Sequence, residues 1–192
     1  MEADSEFLAA VRDNRRNREL LVRLRRLGLD DCFLVAGCLF QSFWNRLSGL
    51  PPEHGIRDYD IFYHDGSDLS FEAEDAVVRR VHDAVADLGI AVDVKNQARV
   101  HLWYEGRFGH RREPLRDCCD GIDRYLVACT CVGIDVRSGA IYAPNGLADL
   151  RAGILRPNPK SGSPAALFAA KAADYRARWP WLRIEPDGAL GR

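Results

Sequence analysis

The segment IRDYDIFYHD, residues 56–65, constrains the fold more than any other stretch of the chain. Successive side chains on a strand point to opposite faces, so Tyr59, Ile61 and Tyr63 form one apolar face while Asp58, Asp60, Phe62 and His64 share the other. A sheet built around such a strand buries one face and keeps the other open at its acidic end. The two carboxylates lie roughly 7 Å apart along the strand and repel each other unless a cation, a proton or water screens them. Taken alone, the pair fits either a divalent-metal site or a wet sheet surface.

The rest of the chain narrows the choice. With 192 residues, 47% hydrophobic and 29% charged, it can bury a sizeable core and reads as one domain. A formal charge of -1 gives no global basic field for gripping a long duplex, so an anionic ligand has to be met locally. The N-terminal MEADSEFLAAVRDN lacks a basic-then-apolar signal pattern, and no apolar run approaches the roughly 20 residues that span a bilayer; a cytoplasmic protein with no membrane partner is expected. The cysteines, Cys32, Cys38, Cys118, Cys119, Cys129 and Cys131, have no zinc-like spacing and read as small buried hydrophobes, Cys129 and Cys131 on one strand face.

Periodicity predicts two N-terminal helices over 5–28, broken near Asp13 and Asn14 and stopped at Gly28. CFLVAG (32–37) reads as a strand ending in glycine, and LFQSFWNRLSG (39–49) as a helix opening directly after it. A further helix over 67–89 places Ala76, Val77, Val81, Val85 and Leu88 inward. IAVDVKNQARVHLWY (90–104), if extended throughout, puts Val92, Val94, Asn96, Ala98, Val100 and Leu102 on one face and Asp93, Lys95, Gln97, Arg99 and His101 on the other; a turn at KNQA is the alternative. EGRFGHRREPLRD (105–117) is an arginine-rich loop, and VACTCVGIDV with AIYAP reads as a hairpin around Arg137, Ser138 and Gly139. A C-terminal helix is expected over about 164–182, with Tyr175, Trp179 and Trp181 in the core.

A strand ending in Gly37 at a helix start, a strand carrying Asp58-x-Asp60 and a strand carrying Asp93 occur in strand–helix–strand–helix–strand order. Together they resemble the nucleotidyltransferase superfamily that includes DNA polymerase beta. VKNQARVH, RDYDIFYHD, IYAPNGLADL and RWPWL narrow the likeness to a small bacterial nucleotidyltransferase-like family, originally of unknown function, that spans nearly this whole length. The resemblance implies an α/β (α+β) fold, a mixed sheet with helices packed on it, with the catalytic core over about 31–150.

It also implies roles. Asp58, Asp60 and Asp93 become the catalytic and metal-binding carboxylates for Mg²⁺, with Mn²⁺ as the alternative, and an NTP becomes the substrate. Mg²⁺ commonly takes one or two carboxylates plus substrate phosphates, which suits that assignment. Gly37 lets the backbone approach the phosphates, with the N–H groups of Cys38 and Leu39 at a helix N-terminus facing the anion. Lys95 and Arg99 neutralise phosphate, Gln97 or Asn96 reads base or sugar, His101 reaches ligand from the same face, and Lys171 is a further phosphate candidate. The reaction implied is transfer of a nucleoside monophosphate to a hydroxyl of a metabolite, an RNA end or a protein, with release of pyrophosphate. Two features depart from the superfamily pattern: Cys38 stands where Gly or Ser is usual, and Gly37 lies unusually far from Asp58. They motivate the alternative of a non-catalytic nucleotide-sensing or protein-interaction module on the same fold.

Overall fold

The structure, a computed structural model, describes residues 2–109 and 111–185. It opens with helices α1 (Glu2–Asp13) and α2 (Arg15–Leu27). The break expected between them is made by Asn14, whose side chain accepts from the N–H groups of Arg16 and Asn17 and caps α2. Gly28 ends α2 in the left-handed conformation, φ 65°, which favours glycine.

Strand β1 (Cys32–Val35) leads directly into α3 (Gly37–Leu47), and after a loop comes β2 (Tyr59–Tyr63). Helix α4 (Phe71–Val85) follows, then β3 (Val92–Asn96), α5 (Val100–Phe108) and the short α6 (Cys118–Ile122). The hairpin β4 (Gly133–Asp135) and β5 (Ile141–Tyr142) completes a mixed sheet in the order β3-β2-β1-β4-β5, in which only β2 and β3 run parallel. Helix α7 (Ala148–Ala152), strand β6 (Ile154–Leu155), helix α8 (Ala165–Arg178) and strand β7 (Arg183–Ile184) close the chain, with β6 and β7 paired separately. Among the described residues, no helix is long and apolar enough to cross a membrane.

The alternation in β2 decides how the sheet is covered. Tyr59, Ile61 and Tyr63 are buried and join Leu34 and Val94 in the main core, together with residues of α1, α2, α3, α4 and α8. Phe62 on the other face packs with Phe33, Val35, Cys118 and Ile122 in a smaller cluster under α6. That short helix shields only one end of the face, and Asp60 emerges at the uncovered end.

Several sequence expectations are corrected. Ala76 is exposed on α4, although Val81, Val85 and Leu88 are buried as expected. Residues 128–130 form a tight helical turn, so Cys129 and Cys131 share no strand face; Cys129 packs into the main core and Cys131 into the smaller cluster. All six cysteines are free thiols. Trp179 is fully buried and donates to Asn45 Oδ1 at 2.9 Å, whereas Trp181 is 37% exposed and donates to Ser48 Oγ at 2.8 Å. Part of the expected 105–117 loop is helical, because α5 runs on to Phe108.

The largest correction concerns residues 97–102, which do not continue β3. Asn96 exchanges hydrogen bonds with Asp65, Asn96 Nδ2 donating to the Asp65 carbonyl (2.9 Å) and Asp65 N–H donating to Asn96 Oδ1 (3.0 Å). The same Oδ1 accepts from the Ala98 N–H at 3.1 Å, which caps a tight turn over Gln97–Arg99 and starts α5. Asn96 thus ends the strand, and Val100, Trp103 and Tyr104 follow at helical spacing.

Candidate active site

The site begins with a strained residue. Between β1 and α3, Ala36 adopts φ 61°, ψ -137°, a region essentially restricted to glycine. This reversal delivers the start of α3 to the open face of the sheet. The Leu39 N–H is taken by the Ala36 carbonyl at 3.1 Å, so the helix-terminal donors left at the mouth are the N–H groups of Gly37 and Cys38, not that of Leu39. A Cβ on Gly37 would lie 2.6 Å from Nε2 of Gln41, so glycine here makes room for that amide.

The Cys38 thiol points away from the opening. It is fully buried and donates to the Val35 carbonyl at 3.3 Å, with its pKa raised by burial and by the charges of Asp60 and Asp58. A hydroxyl at this position would face the core in the same way. Behind it, Asn17 Nδ2 and Ser42 Oγ both donate to the Cys38 carbonyl, at 2.9 and 2.7 Å, fixing the first turn of α3. The long stretch from Gly37 to Asp58 is also held: Asn45 Nδ2 donates to the carbonyls of Pro52 and His54, and Arg178 Nη1 to that of Gly55.

Asp58 and Asp60 line a cavity of about 560 Å³ that also touches Gly37, Gln41, Lys95 and Lys171. In the parallel pairing of β2 with β3, Asp60 stands opposite Asp93, which places both on one face. Burial, reinforced by the charges of Asp58 and Asp93, pushes the Asp60 pKa up to about 7, while Lys171 and Lys95 pull it down. Asp93 does not line this cavity. Its carboxylate pairs with Lys95 Nζ at 2.6 Å and borders a neighbouring groove of about 470 Å³, and Lys95 belongs to both.

The remaining predicted site residues part ways. Gln97 is buried on the turn after β3, with its amide packed against Gly121, and lines the main cavity. Arg99 faces the groove instead, ion-paired with Glu74 and donating to the Leu69 carbonyl at 3.0 Å; its charge is already met. His101 lies on α5 and lines neither opening, so the expected contact from the Asp93 face fails because the strand stops at Asn96.

Sequence reasoning missed Gln41 and Arg124, which also line the main cavity, and singled out Arg112 only as one arginine of the 105–117 loop. Arg124 pairs with Asp120 at 3.5 Å, while its Nε is buried without a partner among the described residues. Its only sequence signal was the arginine density of residues 107–124. Lys171, placed on a helix beside the site by expectation, does reach it.

Two carboxylates, Asp58 and Asp60, line one end of the cavity, and the second is destabilised in its charged form, which suits a divalent cation. Among the described residues, no group of three or more His, Cys, Asp or Glu side chains stands ready as a ligand set, since Asp93 is turned onto Lys95. The Asp58/Asp60 pair nevertheless fits the mode in which Mg²⁺ takes one or two carboxylates and completes its shell with phosphates and water.

No curated protein matches the chain. Among solved structures, a protein described as revealing a CCA-adding enzyme head domain, from an NMR study, is similar with a TM-score of 0.75 and 23% identity over 94% of this chain and 95% of that one, a likeness of fold. The sequence model of a Nucleotidyltransferase family matches residues 22–184, from α2 through β7, and the chain belongs to that family.

Proposed function

We propose that the protein transfers a nucleoside monophosphate from an NTP to a hydroxyl acceptor with release of pyrophosphate, in a reaction that depends on Mg²⁺. The observation that carries this reading is one cavity lined together by Asp58, Asp60, Gly37 at the start of α3, Lys95 and Lys171. Asp58 and Asp60 would hold the divalent cation, which when bound supplies charge neutralisation to the phosphates and the reacting oxygens.

The chain's own groups do the rest. The N–H groups of Gly37 and Cys38 cradle a phosphate at the positive end of α3. Lys171 and Arg124 neutralise its charge from α8 and from the segment after α6. The sheet order sets the direction of attack: the phosphate cradle lies on the β1 side of Asp60 and Asp93 on the β3 side. The acceptor hydroxyl therefore approaches from β3, where Asp93 takes its proton as the oxygen bonds to the α-phosphorus and pyrophosphate leaves. Lys95 holds the Asp93 carboxylate for that role.

The rival reading, a nucleotide-sensing module without turnover, drew its force from Cys38. That side chain faces the core and bonds the Val35 carbonyl, so the transfer reading relies on the backbone N–H groups there and not on a side-chain hydroxyl. The test uses NTPs labelled at the α-phosphate, offered with Mg²⁺ and pooled small metabolites, RNA and protein. Label transfer by wild type and none by Asp60→Asn supports the reading. NTP binding with no transfer and no pyrophosphate from the wild type would favour the sensor.

A further inference from the structure

Gln41 lines the main cavity, and the transfer reading leaves it unused. It lies one turn into α3, four positions after Gly37, so the two residues share a side of the helix. The residue is only 8% exposed. A buried amide ordinarily satisfies both its carbonyl and its N–H groups within the protein. Here only the carbonyl is satisfied.

Arg178, at the end of α8, sets the orientation of that amide. Its Nη1 donates to Gln41 Oε1 at 3.2 Å and to the Gly55 carbonyl at 3.2 Å, and its Nη2 donates to Asp174 Oδ2 at 2.6 Å. Its guanidinium carbon also lies 4.7 Å from the centroid of a Trp179 ring, which holds the group in place. A guanidinium offers donors only, so the amide oxygen turns toward it and Nε2 turns away. That nitrogen sits 2.6 Å from the position a Cβ on Gly37 would take. Among the described residues Nε2 meets no acceptor, and it is not sealed off from the cavity. Two unused donors therefore stand over Gly37, beside the backbone N–H groups that open α3.

We propose that Gln41 is a phosphate-binding residue, its Nε2 donating to an oxygen of the substrate phosphate seated on the N–H groups of Gly37 and Cys38. The proposal rests on the nucleotidyl-transfer reading of the same site, and its failure is separable from the failure of that reading. The residue type suits the place. A lysine or arginine here would crowd its charge against Arg178, whereas an amide adds donors without charge and leaves neutralisation to Lys171 and the cation. Anchoring by Arg178 also aims the amide before substrate arrives, so little side-chain freedom is lost on binding. Gly37 belongs to the same device, because a side chain there would displace Nε2.

The test is isothermal titration of wild type, Gln41→Glu and Gln41→Met with ATP, GTP, CTP and UTP in Mg²⁺, alongside thermal unfolding without nucleotide. Glutamate keeps the acceptor for Arg178 and loses the donors; methionine loses both without adding charge. The expected result is that both variants bind the NTP preferred by wild type about tenfold more weakly or worse, the loss of a hydrogen bond to a charged group. Gln41→Glu should melt no lower than wild type, because its ion pair with Arg178 replaces the neutral contact, so its weaker binding is not a loss of fold. If Gln41 served only to hold Arg178, the glutamate would bind NTP as wild type does. Undiminished affinity in either variant overturns this proposal alone. No binding of any NTP by wild type overturns the nucleotidyl-transfer reading and this proposal with it.

Discussion

Replacing Asp60 with Asn should remove transfer and, above neutral pH, make the protein more stable. The folded chain raises the Asp60 pKa from 3.8 to about 7 by burying the group beside Asp58 and Asp93. A carboxyl whose proton is held more tightly in the folded state supports the fold fully below pH 3.8, and that support is lost as pH rises to about 7. At about 1.4 kcal/mol per tenfold change in proton affinity, ionised Asp60 costs the fold on the order of 4 kcal/mol above pH 7 and only about 1.5 kcal/mol at pH 5. Asn carries no charge, and the cost of burying its amide is the same at both pH values. The comparison therefore isolates the carboxylate: Asp60→Asn should gain about 2–3 kcal/mol more relative to wild type at pH 8 than at pH 5, or about 5–10 °C in melting temperature for a chain of this size. The assay is thermal or urea unfolding of both proteins at the two pH values with divalent cations chelated. Adding Mg²⁺ at pH 8 should stabilise wild type and leave Asp60→Asn where it was. A stability difference independent of pH, or a less stable Asp60→Asn at pH 8, would refute the electrostatic reading of the site.

Three further outcomes follow from particular contacts. Ala36→Gly relieves a positive-φ residue and should stabilise the protein by about 1 kcal/mol, the strain released exceeding the added chain entropy; a lower melting temperature would mean that the Ala36 methyl matters more than its backbone. Lys171→Ala removes an exposed cation from the cavity, so the melting temperature should hold while KM for the NTP rises several-fold; an unchanged KM would take Lys171 out of phosphate binding. Glu74→Gln strips the partner from Arg99 where both side chains are largely buried, at 14% and 11% exposure. It should cost about 2–4 kcal/mol in urea unfolding with NTP affinity intact, and a loss of affinity without a loss of stability would return Arg99 to the ligand site.

The sequence by itself determined the elements whose pattern is local. Alternation over 59–63 marked the buried and open faces of β2, Asn14 marked the break between the first helices, and Gly37 after a β-rich run marked the strand-to-helix passage. Each depends on neighbours within a few residues, because side-chain periodicity and capping act over one turn or one pleat. The acidic pair was legible in part: the spacing put Asp58 and Asp60 on one strand face, whereas β2 begins at Tyr59 with Asp58 just before it, and the two meet by lining one cavity.

Only the tertiary structure decided the rest. Alternating residues over 98–102 suit a strand or a helix, and the choice fell to Asn96, whose side chain is engaged by Asp65 from thirty-one positions away. That one cap moved Arg99 and His101 off the expected face and left Gln97 at the cavity wall. Lys171, Arg112 and Arg124 line the same cavity as Asp60 because α8 and the segment around α6 fold back over the open side of the sheet, and no local pattern encodes such an approach. Conversely, the sequence drew attention to Cys38 as a departure in the phosphate grip, and the packing of α3 against the core turned its thiol away. Short-range sterics and hydrogen bonds write the elements into the sequence; which distant side chains converge on one cavity is fixed only when the apolar faces pack.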